Sequence, residues 1–134
     1  MWQSLLSVSC GAALGALSRW GLGLWLNSLF SYLAFGTLLA NLVGCFLMGI
    51  MIAIFWQYPQ MNTLWKLFIV TGFLSAFTTF SSFSAEVIEY FMSDKWLKGI
   101  LIIFSHLFGG LLCTTLGIFI GRILVKNLLQ EQNR

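Results

Sequence analysis

Thr78-Thr79-Phe80-Ser81-Ser82-Phe83-Ser84 puts five hydroxyls and two phenylalanines into seven consecutive residues, in the middle of an apolar segment. A hydroxyl in hydrocarbon costs free energy unless a hydrogen bond satisfies it. Five together point to a helix interrupted within the membrane, its polar groups turned toward protein or a polar pathway. Phe77, Phe80 and Phe83 recur every three residues, and Ser75, Thr78, Ser81 and Ser84 recur with the same step. This period sits awkwardly on a straight α-helix and predicts a tightened or broken turn. Non-helical backbone at membrane depth must line a cavity or be buried in protein. Freed carbonyls there suit a cation; freed N–H groups, hydroxyls and the positive edges of phenylalanine suit an anion. The competing reading is an unbroken helix whose Ser and Thr bond back to their own backbone while Phe faces lipid.

The surrounding chain decides the solvent. Its 134 residues are 59% hydrophobic and only 8% charged, and the mean hydropathy is +0.91. A water-soluble domain carries roughly 25% charged residues, so most of this surface faces lipid. A span needs about 20 apolar residues, and the length holds four: about 5–29, 36–56, 64–92 and 97–125, forming a single integral membrane domain. The loop Gln57-Tyr58-Pro59-Gln60-Met61-Asn62 contains the only proline, Ser93-Asp94-Lys95 makes a short turn, and a polar tail runs from Lys126 to Arg134. Trp2, Trp20, Trp25, Trp56, Trp65 and Trp96 lie mostly near segment ends, as in an interfacial aromatic belt. The first apolar stretch lacks a basic leader and a cleavage pattern, so it reads as a retained helix. Basic residues are scattered, which argues against nucleic acid as a partner. Cys10, Cys45 and Cys113 show no metal-ligand spacing and read as small packing residues.

Gly11-xxx-Gly15, Gly117-xxx-Gly121 and the pair Gly44 and Gly49 mark faces where helices approach closely. Charge is nearly even across the bilayer. Lys66, Arg122, Lys126 and Arg134 fall on one side, and Arg19, Lys95 and Lys98 on the other. The positive-inside bias that fixes orientation is therefore almost absent. Such a chain is expected to insert both ways and to pair antiparallel with itself.

Other intramembrane polar residues are candidates for the pathway. Asn41, one turn beyond Thr37, either bonds a neighbouring helix or offers amide donors to a desolvated anion. Arg19 either snorkels or bonds carbonyls at a helix end, or else contacts substrate. Glu86 lies a turn deeper than Glu89 and is placed to line a polar vestibule. His106 has no ligand partner at i+3 or i+4 and reads as a hydrogen-bonded packing residue. Thr114 and Thr115 either bond their own i−4 carbonyls or, for Thr114, face the same pathway as Asn41.

Gly36-Thr37-Leu38-Leu39-Ala40-Asn41-Leu42-Val43-Gly44, the run Thr79-Phe80-Ser81-Ser82-Phe83-Ser84 followed by Glu86, and Gly15-Ala16-Leu17-Ser18-Arg19-Trp20 together resemble the small bacterial fluoride channels of the CrcB/Fluc family. The resemblance covers essentially the whole chain. It implies an all-α membrane protein of the bacterial cytoplasmic membrane, assembled as an antiparallel dual-topology homodimer with the third helix broken at its centre. It implies passive export of fluoride, two pathways per dimer, and a structural sodium ion on the dimer axis. In that reading Asn41 coordinates fluoride, and Phe80 and Phe83 are the pore aromatics. Ser81, Ser82, Thr37 and Thr114 supply hydroxyls, and Glu86 sits near a mouth. Arg19 is a buried structural arginine, and Ser75 and Thr78 fall at the carbonyl positions for sodium. The family usually has Gly-Gly just before the run where this chain has Ser75-Ala76, so a positive φ there would be penalised. Gly110 stands where a polar side chain is expected. No nucleotide motif or redox centre is present, and no enzymatic activity is expected. The rival readings are a small multidrug-type proton-coupled exporter, which wants a buried carboxylate that the first span lacks, and a non-conducting structural subunit.

Overall fold

The computed structural model describes residues 1–29 and 35–132. Every regular element among them is helical. In chain order they are α1 (Trp2–Leu29), α2 (Phe35–Gln57), α3 (Thr63–Lys66), a π-helical stretch π1 (Leu67–Leu74), α4 (Ser75–Phe77), α5 (Phe80–Met92) and α6 (Trp96–Gln132). Four spans of this chain are long and apolar enough to cross a membrane: Trp2–Leu26, Phe35–Gln57, Thr63–Met92 and Trp96–Glu131. The last three cover the expected segments with one or more residues added, and the first is shifted three residues toward the N-terminus.

The last span differs most from expectation. The polar tail expected from Lys126 continues α6 to Gln132. Lys126-Asn127-Leu128-Leu129-Gln130-Glu131 contains no glycine or proline and several strong helix formers, so nothing stops the helix at the membrane boundary. Arg134, one of the four positives assigned to that side, lies outside the described residues.

The third span departs from a regular α-helix in two places. Ahead of the hydroxyl run the backbone is widened. The N–H of Ser75 reaches back to the Val70 carbonyl, and the Ser75 hydroxyl donates to the same oxygen at 2.9 Å. Two donors on a carbonyl five residues back hold the wider turn in place. Ser75 itself has φ −67°, and among the described non-glycine residues only Asp94 has positive φ. Replacing the family's Gly-Gly by Ser75-Ala76 thus meets no left-handed backbone. α4 ends at Phe77 and α5 begins at Phe80; Thr78 (φ −85°, ψ 157°) and Thr79 (φ −150°, ψ 116°) between them are extended.

Two tight glycine crossings organise the packing. α1 lies against π1, where a Cβ on Gly72 would come within 2.9 Å of the Gly11 Cα. α2 lies against α6, where a Cβ on Gly49 would come within 2.9 Å of the Gly117 Cα. Without side chains the backbones meet directly, which is how helices associate in a solvent as apolar as their own surface. Leu14, Leu111 and Phe119 are exposed, while Leu74 is the largest side chain fully withdrawn. That distribution is inverted relative to a water-soluble core and fits lipid as solvent. The six tryptophans are all exposed. Arg122 lies 5.1 Å from the Trp56 ring centroid. Lys66 lies 5.3 Å from that of Phe55 and donates to the Pro59 carbonyl at 3.1 Å. Both cations stay at the level of the α2–α3 loop.

Candidate functional site

Extended backbone within a membrane span leaves donors and acceptors that something else must satisfy. Asn41 on α2 does this for Thr79. The Thr79 N–H donates to Asn41 Oδ1 at 2.7 Å, and Asn41 Nδ2 donates to the Thr79 carbonyl at 3.0 Å. The amide thus acts as one residue of a β-ladder and leaves one of its two N–H donors for other use. The Thr79 hydroxyl accepts from the Ser82 N–H at 3.2 Å, capping α5, and donates to the Ser82 hydroxyl at 3.1 Å. Ser81 Oγ lies 3.3 Å from the same Thr79 oxygen.

A cavity of about 540 Å³ opens beside this pair. Asn41, Thr78, Phe80, Phe83, His106 and Thr114 line it, together with Ser75 and Thr79. The Phe80 and Phe83 rings stand 5.5 Å apart at 57°. Phe80 is 78% exposed on the single chain. The Phe83 ring lies 4.5 Å from the imidazole of His106. Gly44 forms part of the wall, and a Cβ there would overlap the Thr78 methyl. Gly110 is buried on α6, its missing Cβ 3.3 Å from Cys45 Sγ.

Three of the lining hydroxyls are committed to backbone, Ser75 to the Val70 carbonyl as described above and two more. Thr78 Oγ1 donates to the Leu74 carbonyl at 2.9 Å, and Thr114 Oγ1 donates to the Gly110 carbonyl at 3.0 Å. Each presents lone pairs to the cavity until its hydrogen is turned. The second N–H of Asn41 is a donor available without rearrangement, and Phe80 and Phe83, whose ring edges are positive, line the same cavity.

The remaining expected residues gather elsewhere. Arg19 and Thr37 line a second cavity of about 440 Å³ with Trp20 and Ser28. Glu86 is hydrogen-bonded to the Thr37 side chain, which joins α5 to the start of α2 beside this cavity. Arg19 Nε donates to the Ala76 carbonyl at 3.1 Å, near the end of α4. Ser84 Oγ returns to the Phe80 carbonyl at 2.9 Å.

Sequence reasoning missed Thr79 as an organising residue, although a threonine three residues ahead of Ser82 is a helix-start signal. It also left His106 as a packing residue. The ring does bond its own helix, Nδ1 lying 3.1 Å from the Ile102 carbonyl, yet it also walls the cavity. Nothing in a lone histidine on an apolar helix announces which neighbour it meets.

Residues 6–118 match the family described as CrcB-like protein, Camphor Resistance (CrcB). A protein of Pasteurella multocida named Fluoride-specific ion channel FluC is 58% identical over 120 residues, covering 90% of this chain and 94% of that one. One of Mannheimia succiniciproducens with the same name is 57% identical over 122 residues, covering 91% and 96%. A third so named, from Haemophilus influenzae strain PittGG, is 56% identical over 121 residues, covering 90% and 94%. The family match takes in both cavities and all the residues that bridge them, and on that extent the chain belongs to the CrcB-like family.

Proposed function

We propose that the chain is a fluoride-selective channel of the bacterial cytoplasmic membrane, exporting fluoride passively to relieve its toxicity. The observation that carries this reading is the Asn41–Thr79 pair, which leaves one amide N–H spare on a cavity that Phe80 and Phe83 also line. Fluoride is small and strongly hydrated, so a narrow path has to replace its water with donors, each weak enough to release it again. An amide N–H and two aromatic edges in series meet that need without fixed positive charge in the run. Ser81, Ser82, Thr37 and Thr114 continue the hydroxyl track, and Glu86 and Arg19 stand at the second cavity. The relatives' name, Fluoride-specific ion channel, supports the same ion. The chain is a channel and not an enzyme.

The interruption between α4 and α5 serves a second purpose in this reading. The Thr79 N–H, which a continuous helix would give to the Ser75 carbonyl, is taken by Asn41. The Ser75 oxygen is thereby released from helical bonding, and Thr78 is extended. Neutral carbonyl oxygens fit a hard monovalent cation, and among the described residues no group of three His, Cys, Asp or Glu offers another kind of metal site. Ser75 and Thr78 are the residues that would hold a structural sodium ion, which when bound supplies a fixed positive charge at the centre of the assembly.

An antiparallel dual-topology homodimer completes the proposal. Ser75, Phe80 and Ser81 are exposed on the single chain, where lipid would be a poor neighbour for hydroxyls. The near-even distribution of positive charge supports both orientations. A second copy then covers the cavity's open side.

Fluoride efflux from liposomes containing the purified protein tests the function. Efflux above that of empty liposomes, with chloride retained, is the expected result. A proton-coupled exporter would instead show flux driven by a pH gradient, and α1 supplies no carboxylate for that. A structural subunit would show no flux.

A further inference from the structure

Phe119, Arg122, Ile123 and Lys126 fall at i, i+3, i+4 and i+7 of α6, so they share one face of the helix. All four are exposed on the chain, and none lines the cavities described above. Phe119 lies deepest in the span, Arg122 and Ile123 share the next turn, and Lys126 stands a turn further out. Arg122 is also held from the side. Its guanidinium lies over the Trp56 ring, 5.1 Å from the centroid. Trp56 is the last residue but one of α2 and is itself 60% exposed. A ring face takes the flat side of a guanidinium and leaves the N–H groups at its edge free. No carboxylate or carbonyl among the described residues takes those N–H groups, and none pairs with the Lys126 ammonium. The other cations differ: Lys66 gives its ammonium to the Pro59 carbonyl, and Lys95 directly follows Asp94.

Two cations without an anion, at the level where a span leaves the hydrocarbon, meet the one anion that a membrane supplies there, the phosphate of a phospholipid. A guanidinium bonds phosphate through two parallel N–H groups. Lys126 adds a point charge one helical turn away, about 5.4 Å along the axis. Phe119 and Ile123 give the acyl chains an apolar surface beneath. A headgroup of net negative charge complements both cations, whereas the ammonium of a zwitterionic one offsets part of the attraction. We propose that this face of α6, together with Trp56, binds an anionic phospholipid, with the headgroup phosphate on Arg122 and Lys126. The site is independent of which ion the chain passes. In the antiparallel dimer proposed above, one such site faces each leaflet.

Native mass spectrometry of the full chain, released from detergent with phosphatidylglycerol or phosphatidylcholine, tests this. Phosphatidylglycerol is expected to be retained about tenfold more readily, since each basic residue at the membrane surface contributes several-fold. Arg122→Gln combined with Lys126→Gln should bring the two lipids level. Lys126→Gln alone should lower the preference several-fold, and Lys95→Gln, which removes the same charge at the opposite end of the bundle, should leave it unchanged. Equal retention of both lipids by wild type, or equal losses from Lys95→Gln and Lys126→Gln, overturns the proposal. Displacement of the lipid by millimolar inorganic phosphate marks a free-anion site and overturns it too. A second readout keeps both cations. In vesicles mixing the two lipids, bromine on the chains of phosphatidylglycerol should quench tryptophan fluorescence more than the same bromine on an equal amount of phosphatidylcholine. Trp56→Phe should remove most of that difference. Equal quenching by the two labels, or a difference that survives Trp56→Phe, overturns the proposal.

Discussion

Asn41 and Thr79, 38 residues apart in sequence, are joined by two hydrogen bonds of 2.7 and 3.0 Å that run in opposite directions through one side-chain amide. A side chain here takes the place that a neighbouring strand would occupy, and α2 is fastened to the extended residues ahead of α5 by that single group. Only an amide both donates and accepts in this geometry.

Asn41→Asp keeps the size and the acceptor but loses the donor to the Thr79 carbonyl and adds an anion to the cavity wall. Fluoride efflux should fall to the level of empty liposomes. Thermal unfolding in detergent should register a loss of about 1–3 kcal/mol from the unsatisfied carbonyl. Wild-type efflux from this variant would remove Asn41 from the pathway.

Phe80→Ile should leave folding intact, since the ring is largely exposed on the chain. The isoleucine has no positive edge for an anion, and a loss of about 1 kcal/mol or more in ion stabilisation corresponds to a several-fold to tenfold drop in flux. Phe83→Ile should act in the same direction and should also loosen the contact with His106. Initial efflux rates measured with a fluoride electrode decide the matter; unchanged rates in both variants would leave the aromatics without a role in conduction.

Gly49→Val should prevent α2 from seating on α6, because the new side chain meets backbone on α6 and not a flexible tip. Overpacking of this kind costs about 1–3 kcal/mol or more, and the expected sign is loss of a monodisperse peak in size-exclusion chromatography. Gly21→Ala is the control, as its Cβ would have nothing within 4 Å and it should purify like wild type.

Near-even charge predicts two orientations in the membrane. A reporter active only in the cytoplasm and another active only outside it, each fused to the C-terminus, should both give signal. Adding three lysines to the α2–α3 loop should move the population to one orientation. A single orientation in the unaltered chain would end the antiparallel reading.

The four spans were legible because hydrocarbon imposes a length and a composition, and few charges interrupt either. Residues in the hydroxyl run were legible as a group for a related reason: five hydroxyls in one apolar segment have no cheap solution. The widened turn at Leu67–Leu74 was not, since no residue type is peculiar to it and its cause, two donors from Ser75 on one carbonyl, is a matter of backbone path. The length of α6 was missed because polarity was read as an end to structure, whereas Lys126–Gln132 is polar and remains helical. Asn41 was singled out by chemistry, but its pairing with Thr79 depends on how α2 and α5 cross, and so does the place of His106 opposite Phe83.

Gly44 contributes no side chain to the cavity, yet it governs how near α2 stands to Thr78. The gap on that side is backbone against the Thr78 methyl, whose rotamer is held by the bond from Thr78 Oγ1 to the Leu74 carbonyl. Phe80, largely exposed on the single chain, also lines the cavity. The cavity is thus set by backbone on one side and bordered by a largely exposed ring. In the proposed pathway Gly44 is the gauge, and a single added methyl there is expected to lower fluoride efflux from liposomes.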